Sequence, residues 1–575
     1  MREKKINISN VIFHIIIVII ISIFAYSLTP KTFQNDTFYT IKIGEHIVNE
    51  TDKISDLLPW NKGLDMQDPF SWHKGLPYTY PHWLYDLITY KIYTISGFDS
   101  IYWATCILAI ILGISIYFIN IKFNKNIIIS FLVTICSLYC LESFIAARAQ
   151  LVTFILFVFT IFNIEQFLKT KKVIYAVSLI AISTLIANLH CAVWPFFFIL
   201  FLPYITEYII YKIISINYLL LSKKIELEIR RINKKIDKNE YINQKNKLNE
   251  LIKKHKQNIP KKLKSANKLE LVENTAIKWL LLICIICAFT GLLTPIKDTP
   301  YTYLIKTTEG NTTQNINEHL PLTLVKNKNM ILILVIVFGI LTFTKVKISV
   351  KDFFMLFGLI TLTFMSQRQI SMLIIIGNFI IAKMICQLYN NLKDSTHMLD
   401  NVTNKSKLAV KIVIISGISV LMILISFDKY LDKKNTPYVN EKEYPVAASQ
   451  YINETLIPKV GIENLKLYND YNYGSYLLFQ GIPVFIDSRA DLYTPEFYGE
   501  KDENGEYIGN DIFTDYLNIS SLASSYEYEF ERYGVTHVMT GANSKLNSII
   551  CKDVNYDLLY SDEYFVIYEK ENNDE

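Results

Sequence analysis

The sequence predicts an α-helical polytopic membrane protein of about eleven transmembrane helices, followed by a soluble α/β domain. Three observations carry the prediction. The 575-residue chain is 51% hydrophobic and 14% aromatic, with a mean hydropathy of +0.24, and a water-soluble protein of this length cannot bury so much apolar surface. That surface is gathered into runs close to the length a bilayer demands, about 20 residues for roughly 30 Å of hydrocarbon. The charge is segregated: residues 223–270 carry 16 Lys and Arg against 6 Asp and Glu, and residues 427–575 carry 12 against 27, although the whole chain sums to only +5. Such an asymmetry places the two segments on opposite sides of a membrane.

The candidate spans are 10–29, 99–119, 127–145, 149–168, 173–190, 193–212, 276–295, 329–345, 351–366, 369–388 and 408–427. Short loops that keep Lys and Arg mark the cytoplasmic side. With Arg2, Lys4 and Lys5 inside, alternation puts Lys122 and Lys125, Lys169 to Lys172, the basic stretch 213–275, Lys345 to Lys351, and Lys393 to Lys407 on that side. The opposite loops, 30–98, 146–148, 191–192, 296–328 and 367–368, are long or weakly basic, and an odd number of spans leaves 428–575 outside. The expected location is the plasma membrane, multi-pass, with a cytoplasmic N-terminus and an extracytoplasmic C-terminal domain. The first apolar run, Val11 to Leu28, is long enough to span and has no small-x-small cleavage site after it, which favours an uncleaved signal-anchor.

The expected domains are a transmembrane unit, 1–427, and the tail, 428–575. The first outer loop, 30–98, carries amphipathic segments at 38–48 and 82–97. The second contains Asp86 and Lys91 and is only moderately apolar, so it reads as interfacial rather than spanning, and the loop becomes a structured platform. In the basic insert, Ile225, Leu227, Ile229, Ile232, Ile236, Leu248, Leu251 and Ile252 recur at near-helical spacing before Pro260, predicting a cytoplasmic helical hairpin or short coiled coil, with a solvated spacer as the plainer reading. Its charge suits anionic head groups. In the tail, helices at 444–455, 473–480, 520–532 and 543–550 alternate with strands at 464–469, 483–487, 535–540, 556–560 and 564–569, which implies a small α/β domain with a largely parallel sheet. It has no glycine-rich phosphate loop, so nucleotide binding is not supported.

Seven of the eight cysteines lie in or beside apolar runs and only Cys551 lies in the tail, which excludes a disulfide framework and any zinc spacing. Cys136 and Cys140, at helical spacing, read as packing residues. The richness in Ile, Asn and Lys suggests an AT-rich genome, so triplets such as Asn311-Thr312-Thr313 are poor evidence of glycosylation.

Ionisable residues at the outer ends of spans carry the chemical signal, because a charge beside hydrocarbon is costly and usually lines a wet cavity. These are Asp36, Asp65, Asp68, His82, Glu142, Arg148, His190, Asp298, Glu309, Glu318, His319 and Arg368. Arg148 and Arg368 can pair with phosphate through planar donor forks, and a carboxylate beside them can serve as base or metal ligand. Plainer roles are open to each: snorkelling or a pair with Glu142 for the arginines, core packing for His190, a turn before Pro69 for Asp68, and a helix cap for Asp36.

The order Asp36, Gly44-Glu45-His46-Ile47, Asp68-Pro69-Phe70-Ser71 and His82-Trp83-Leu84 resembles the first outer loop of bacterial membrane proteins of the GT-C glycosyltransferase type. Further matches are Ala147-Arg148-x-Gln150, Asn188-x-His190, Thr294-Pro295 leading to Ile316-Asn317-Glu318, and Arg368 opening a late span. In the tail they are Tyr468-Asn469-Asp470-x-x-Tyr473-Gly474-x-Tyr476-Leu477 and Val484-Phe485-Ile486-Asp487-x-Arg489. The resemblance covers nearly the whole chain except the basic insert. It implies a donor sugar on a polyprenyl phosphate and a first-loop acidic residue, matched by Asp36, that activates the acceptor or organises a divalent metal. The chain departs from the pattern twice, with Pro81-His82-Trp83-Leu84 where related loops read His-Glu-Trp-Leu, and Glu318-His319 where they read Glu-Trp.

The function so implied is a membrane glycosyltransferase that moves a hexose or pentose from a polyprenyl-phosphate donor to an extracytoplasmic glycan, lipid or protein. Asp36 and Glu318 are the catalytic candidates. Arg148, Arg368, His82, His190, Asp68 and His319 are the substrate-binding candidates, and a divalent metal is an open option at Asp36. The expected partners are the lipid-linked donor, membrane lipids and the acceptor, with no nucleic acid. Two alternatives stand beside this reading. A non-enzymatic transporter or assembly factor for lipid-linked glycans would usually show an internal repeat, and none is evident. A surface-polysaccharide polymerase or ligase would place its key residues in the loop 296–328, where Glu318 and His319 lie.

Overall fold

The computed structural model describes residues 8–51, 53–58, 61, 63–213, 268–310, 312–396, 404–498, 500–503, 505 and 507–571. The hairpin expected in the basic insert lies outside the described residues. Every predicted apolar run falls on a helix. In chain order, α1 (Ile8–Leu28) leads into a first loop that supplies α2 (Asn35–Glu50) and α3 (Trp83–Ser96). Then come α4 (Phe98–Asn124), α5 (Ile127–Cys140), α6 (Ala149–Thr170), α7 (Val173–Leu189), α8 (Cys191–Ile213) and α9 (Ile277–Ala288). After α10 (Thr299–Glu309) follow α11 (Lys328–Phe343), α12 (Val350–Met365), α13 (Ile370–Thr396) and α14 (Asn404–Lys434).

The chain is a multi-pass membrane protein. Among the described residues six helices, α1, α4, α6, α8, α13 and α14, are long and apolar enough to cross a bilayer, fewer than the eleven expected. Shorter apolar helices account for α5, α7, α9 and α11. The shortening has a structural reason at α5 and α7. The span expected over 127–145 stops at Cys140 and the one over 173–190 stops at Leu189, and the irregular backbone that follows each carries Arg148 and His190 into a cavity. Non-helical backbone near membrane depth is tolerated where it lines a wet site. Lys122, Lys169, Lys351 and Lys383 line a separate cavity of about 240 Å³.

The tail contains α15 (Val446–Tyr451), β1 (Leu467–Tyr468), α16 (Tyr471–Phe479), α17 (Ile512–Ser521), α18 (Tyr526–Tyr533), β2 (His537–Gly541), β3 (Tyr556–Ser561) and β4 (Phe565–Lys570). Its sheet runs in the order β1-β2-β4-β3, and only β1 and β2 are parallel. The expectation of a largely parallel sheet is therefore corrected. The cause is local: the Asp562 carboxylate accepts the backbone N–H groups of Tyr564 and Phe565, both at 2.7 Å, and closes a tight turn that makes β3 and β4 a hairpin. The strand expected at 483–487 does not join either. The Asn469 side chain takes its place, accepting from the Phe485 N–H at 2.8 Å and donating to the Ile486 carbonyl at 2.7 Å, so one amide satisfies the backbone that a ladder would otherwise pair. The single helix expected at 520–532 is two, broken at Leu522, which adopts a left-handed conformation.

The first loop and the tail share one apolar core. Phe38 of α2 packs edge-on against Tyr444 and Tyr476, and Tyr468, Phe485 and Phe530 continue the same cluster inside the tail. Two glycines permit this. A Cβ at Gly44 would lie 2.1 Å from the Asp86 carbonyl oxygen, so only glycine lets α2 and α3 touch there; a Cβ at Gly474 would lie 2.0 Å from the Ile486 oxygen. The Trp72 indole donates to the Leu467 carbonyl at 3.0 Å and His73 Nε2 to the Phe485 carbonyl at 3.0 Å, pinning the loop to the tail.

Burial among Trp72, Phe485 and Tyr533 lowers the His73 pKa to about 4. The folded protein therefore keeps His73 neutral while an unfolded chain protonates it near pH 6.5, so the unfolded state binds the extra proton between these values and stability falls as pH drops from about 6.5 toward 4. Melting temperature measured across that window is predicted to fall less steeply in His73→Gln than in the parent protein; parallel curves would show that this ring does not couple docking to pH.

Candidate functional site

The predicted site residues sit at the ends of elements rather than within them. Asp36 occupies the first turn of α2, and the cap there is Gln34, so Asp36 is not the helix cap. Arg148 precedes α6, His82 precedes α3, His190 follows α7, and the turns Asn317–His319 and Gln367–Gln369 present Glu318, His319 and Arg368. All seven line one cavity of about 590 Å³, closed on its far side by the tail through Tyr471, Ser488, Arg489 and Asp491.

Arg148 is the hub. Its guanidinium pairs with Asp36 on one side and with Glu318 at 3.3 Å on the other, which sets aside the pair with Glu142 that sequence left open; Glu142 pairs with Lys429 instead. Burial would raise the Asp36 pKa, but Arg148 more than offsets it, with help from the Ser488 hydroxyl and Arg368, and the carboxyl is held below its ordinary value. Burial opposes the charge on Arg148, and Asp36 and Glu318 outweigh it, raising its pKa. His319 Nε2 lies 3.5 Å from Arg368 Nη1; burial first, and the Arg368 charge second, lower the His319 pKa to about 4, so the ring is neutral near pH 7. Deeper in, His82 Nδ1 lies 2.9 Å from the buried Asp86 carboxylate, and Tyr303 donates to Asp491, whose pKa burial raises.

Asp68 is the one site candidate outside the cavity. Its side chain is fully buried behind the wall, where its Oδ1 accepts from Arg489 Nη1 at 2.6 Å while Asp487 accepts from Nε and Nη2 at 2.9 and 2.7 Å. It also opens the predicted turn, accepting the Ser71 N–H at 2.8 Å. Asp65, Glu142, Asp298 and Glu309 do not line the cavity. Sequence reasoning passed over Tyr39, Asp86, Tyr303 and Asp491. Only Asp86 left a local trace, at helical spacing i, i+4 from His82.

A second hollow of about 350 Å³ adjoins the cavity. It runs between the ends of α5, α6, α11 and α13; its lining is mixed, apolar at Phe144, Met330 and Ile370 and polar at Ser143, Gln150, Asn327 and Asn329, and it shares Gln34, Arg148, Glu318 and Arg368 with the cavity. The two arginines thus stand where a groove between helix ends opens into a wet chamber.

The donor set does not suit a divalent metal. Asp36 and Glu318 face each other across a guanidinium, and among the described residues no three His, Cys, Asp or Glu side chains are placed to hold an ion.

No family model matches the chain, and no curated protein does. Over 98% of its length the chain matches 74% of the archaeal oligosaccharyltransferase AglB from Archaeoglobus fulgidus, solved with an inhibitory peptide and a dolichol-phosphate, at a TM-score of 0.51 and 10% identity. The two chains share a fold. The GT-C-like architecture implied by the sequence resemblance is the one observed. A second structure of an oligosaccharyltransferase from that organism, tethered by a disulfide to an acceptor peptide containing the NVT sequon, matches over 97% of this chain and 74% of its own, at a TM-score of 0.49 and 10% identity.

Arg489→Met is predicted to leave Asp68 and Asp487 buried without a counter-charge, a loss on the order of 3–5 kcal/mol. Thermal unfolding and yield of folded protein read it. A variant as stable as the parent would show that the triad is not what joins loop to tail.

Proposed function

We propose that the protein is a membrane glycosyltransferase that moves a sugar from a lipid-linked donor, a polyprenyl phosphate, to an acceptor held in the cavity. The observation that carries this reading is the position of Arg148 and Arg368 at the junction of groove and chamber. A lipid tail in the groove would bring its phosphate to these two planar donor forks and its sugar into the chamber. Departure of a phosphate leaving group concentrates negative charge on its oxygens, and fixed guanidinium groups stabilise that charge. Asp36, kept ionised by Arg148, faces the same chamber and would stabilise the positive charge that develops at the anomeric carbon while aligning the acceptor; Glu318 holds Arg148 from the other side. His190 and His319 line the walls as neutral substrate contacts, and Asn35 offers a buried side-chain oxygen with no partner among the described residues. The archaeal protein that shares the fold was solved with a dolichol-phosphate and a peptide, which supports a lipid-phosphate donor and a glycan, lipid or protein acceptor here. A hexose or pentose as the sugar, the plasma membrane as the location, a cytoplasmic N-terminus and an extracytoplasmic tail complete the proposal. A chamber walled on one side by the tail, through Tyr471, Ser488 and Asp491, favours transfer over the transporter reading.

Asp36→Asn keeps size and removes charge, so folding survives while transfer from a polyprenyl-phosphate donor falls by roughly 10²-fold. Arg148→Lys and Arg368→Lys instead weaken polyprenyl-phosphate binding, because a point charge does not replace a two-pronged fork. Purified Asp36→Asn protein that transfers sugar as the parent does would remove Asp36 from the reaction and move the assignment to Glu318.

A further inference from the structure

The proposed reaction leaves one proton unplaced, the one the acceptor loses as it attacks. Asp36 is poorly suited to receive it, because Arg148 holds its carboxyl below the usual range. Three other groups form a line into the wall. The Asp86 side chain is wholly buried; it is bonded by His82 Nδ1, at 2.9 and 3.0 Å to its two oxygens, and by the Thr40 hydroxyl, with no Lys or Arg bonded to it among the described residues. With the Nδ1 proton given to Asp86, Nε2 of His82 is the acceptor, and it lies 3.1 Å from the Tyr39 hydroxyl. Tyr39 and His82 both line the cavity and Asp86 does not.

The chain of groups therefore runs from the chamber inward and ends on a buried carboxylate. A buried carboxylate without a cation is costly, and a second proton on the His82 ring gives Asp86 its counter-ion at hydrogen-bond distance. Burial holds Tyr39 ionisation well above the ordinary phenol range, so the phenol can take a proton only as it passes its own along.

We propose that Tyr39, His82 and Asp86 form a proton relay that serves as the general base for an alcohol acceptor, a deepening that rests on the transfer reaction above. As the acceptor oxygen bonds to the anomeric carbon, the bond from that carbon to the donor phosphate breaks and its electron pair leaves on the phosphate oxygen. The acceptor proton passes to the Tyr39 oxygen, the Tyr39 proton passes to His82 Nε2, and the imidazolium so formed is paired with ionised Asp86. Tyr39 is then the residue that touches the acceptor, and Asp86 is a positioning residue that sets the His82 tautomer. An alcohol is the acceptor class because a hydroxyl is too weak an acid to attack without a base.

The test is turnover of a polyprenyl-phosphate hexose by the purified full chain, with an oligosaccharide and a threonine peptide as separate acceptors to distinguish the source of the hydroxyl. Tyr39→Phe, His82→Gln and Asp86→Asn are each expected to lower kcat by roughly 10²-fold with the donor KM changed less than about threefold, and Tyr39→Phe combined with Asp86→Asn is expected to lose no more than either alone, since the three act as one unit. A merely structural Asp86 would instead lose stability and multiply with Tyr39→Phe. Tyr39→Phe removes one oxygen at the cavity and keeps the ring, so it carries the test should Asp86→Asn not fold. Wild-type kcat in Tyr39→Phe, or losses that multiply in the double variant, would overturn the relay alone; a parent protein that turns over donor with neither acceptor would overturn the transfer reaction and the relay together.

Discussion

The Arg489 side chain lies 3% exposed between Asp68 of the first loop and Asp487 of the tail, and the architecture of the site depends on that contact. A guanidinium enclosed in this way has no water to fall back on, so its donors must be met by the two carboxylates, and its face rests on the rings of Phe70 and Tyr78. The geometry is satisfied only when loop and tail are in register. That register sets α2 against α16, places Asp36 beneath Ser488, and brings Asp491 to the cavity wall opposite Tyr303. The charge cluster is thus a specificity device, fixing which surface of the tail meets the membrane unit, while the apolar core around Phe38, Tyr468 and Phe485 supplies the bulk of the attraction.

The same logic explains why the site uses chain ends. A helix interior satisfies its own backbone and aims side chains at neighbours or lipid; its ends stop short and leave polar groups facing water. Arg148, His190 and Arg368 come from separate segments that end at one cavity, and Asp36, Glu318 and the tail line it with them. The resulting chamber adjoins a smaller hollow of mixed lining, in which Phe144, Met330 and Ile370 supply apolar surface beside the two arginines.

Much of this was legible in the sequence, and the reason is locality. Apolar runs and the amphipathic segments of the first loop are read from neighbouring residues, and each falls on a helix; the outer-end filter for costly charges picked Asp36, His82, Arg148, His190, Glu318, His319 and Arg368, which share one cavity. What was not legible depends on contacts distant in the chain. Sheet pairing in the tail turned on the Asp562 turn and on the Asn469 amide substituting for a strand. Asp68 looked like a substrate contact because its true partner, Arg489, lies more than four hundred residues away. Tyr303 and Asp491 carry no motif and join the site only through the fold.

The proposed function stands on Arg148 and Arg368 receiving a lipid phosphate where the two cavities meet. A structure of the full chain with polyprenyl phosphate bound tests it most directly. The expected result is phosphate oxygens within hydrogen-bonding distance of both guanidinium groups, with the hydrocarbon running between α5, α6, α11 and α13. A phosphate bound elsewhere, with both arginines still paired only to protein, would contradict it.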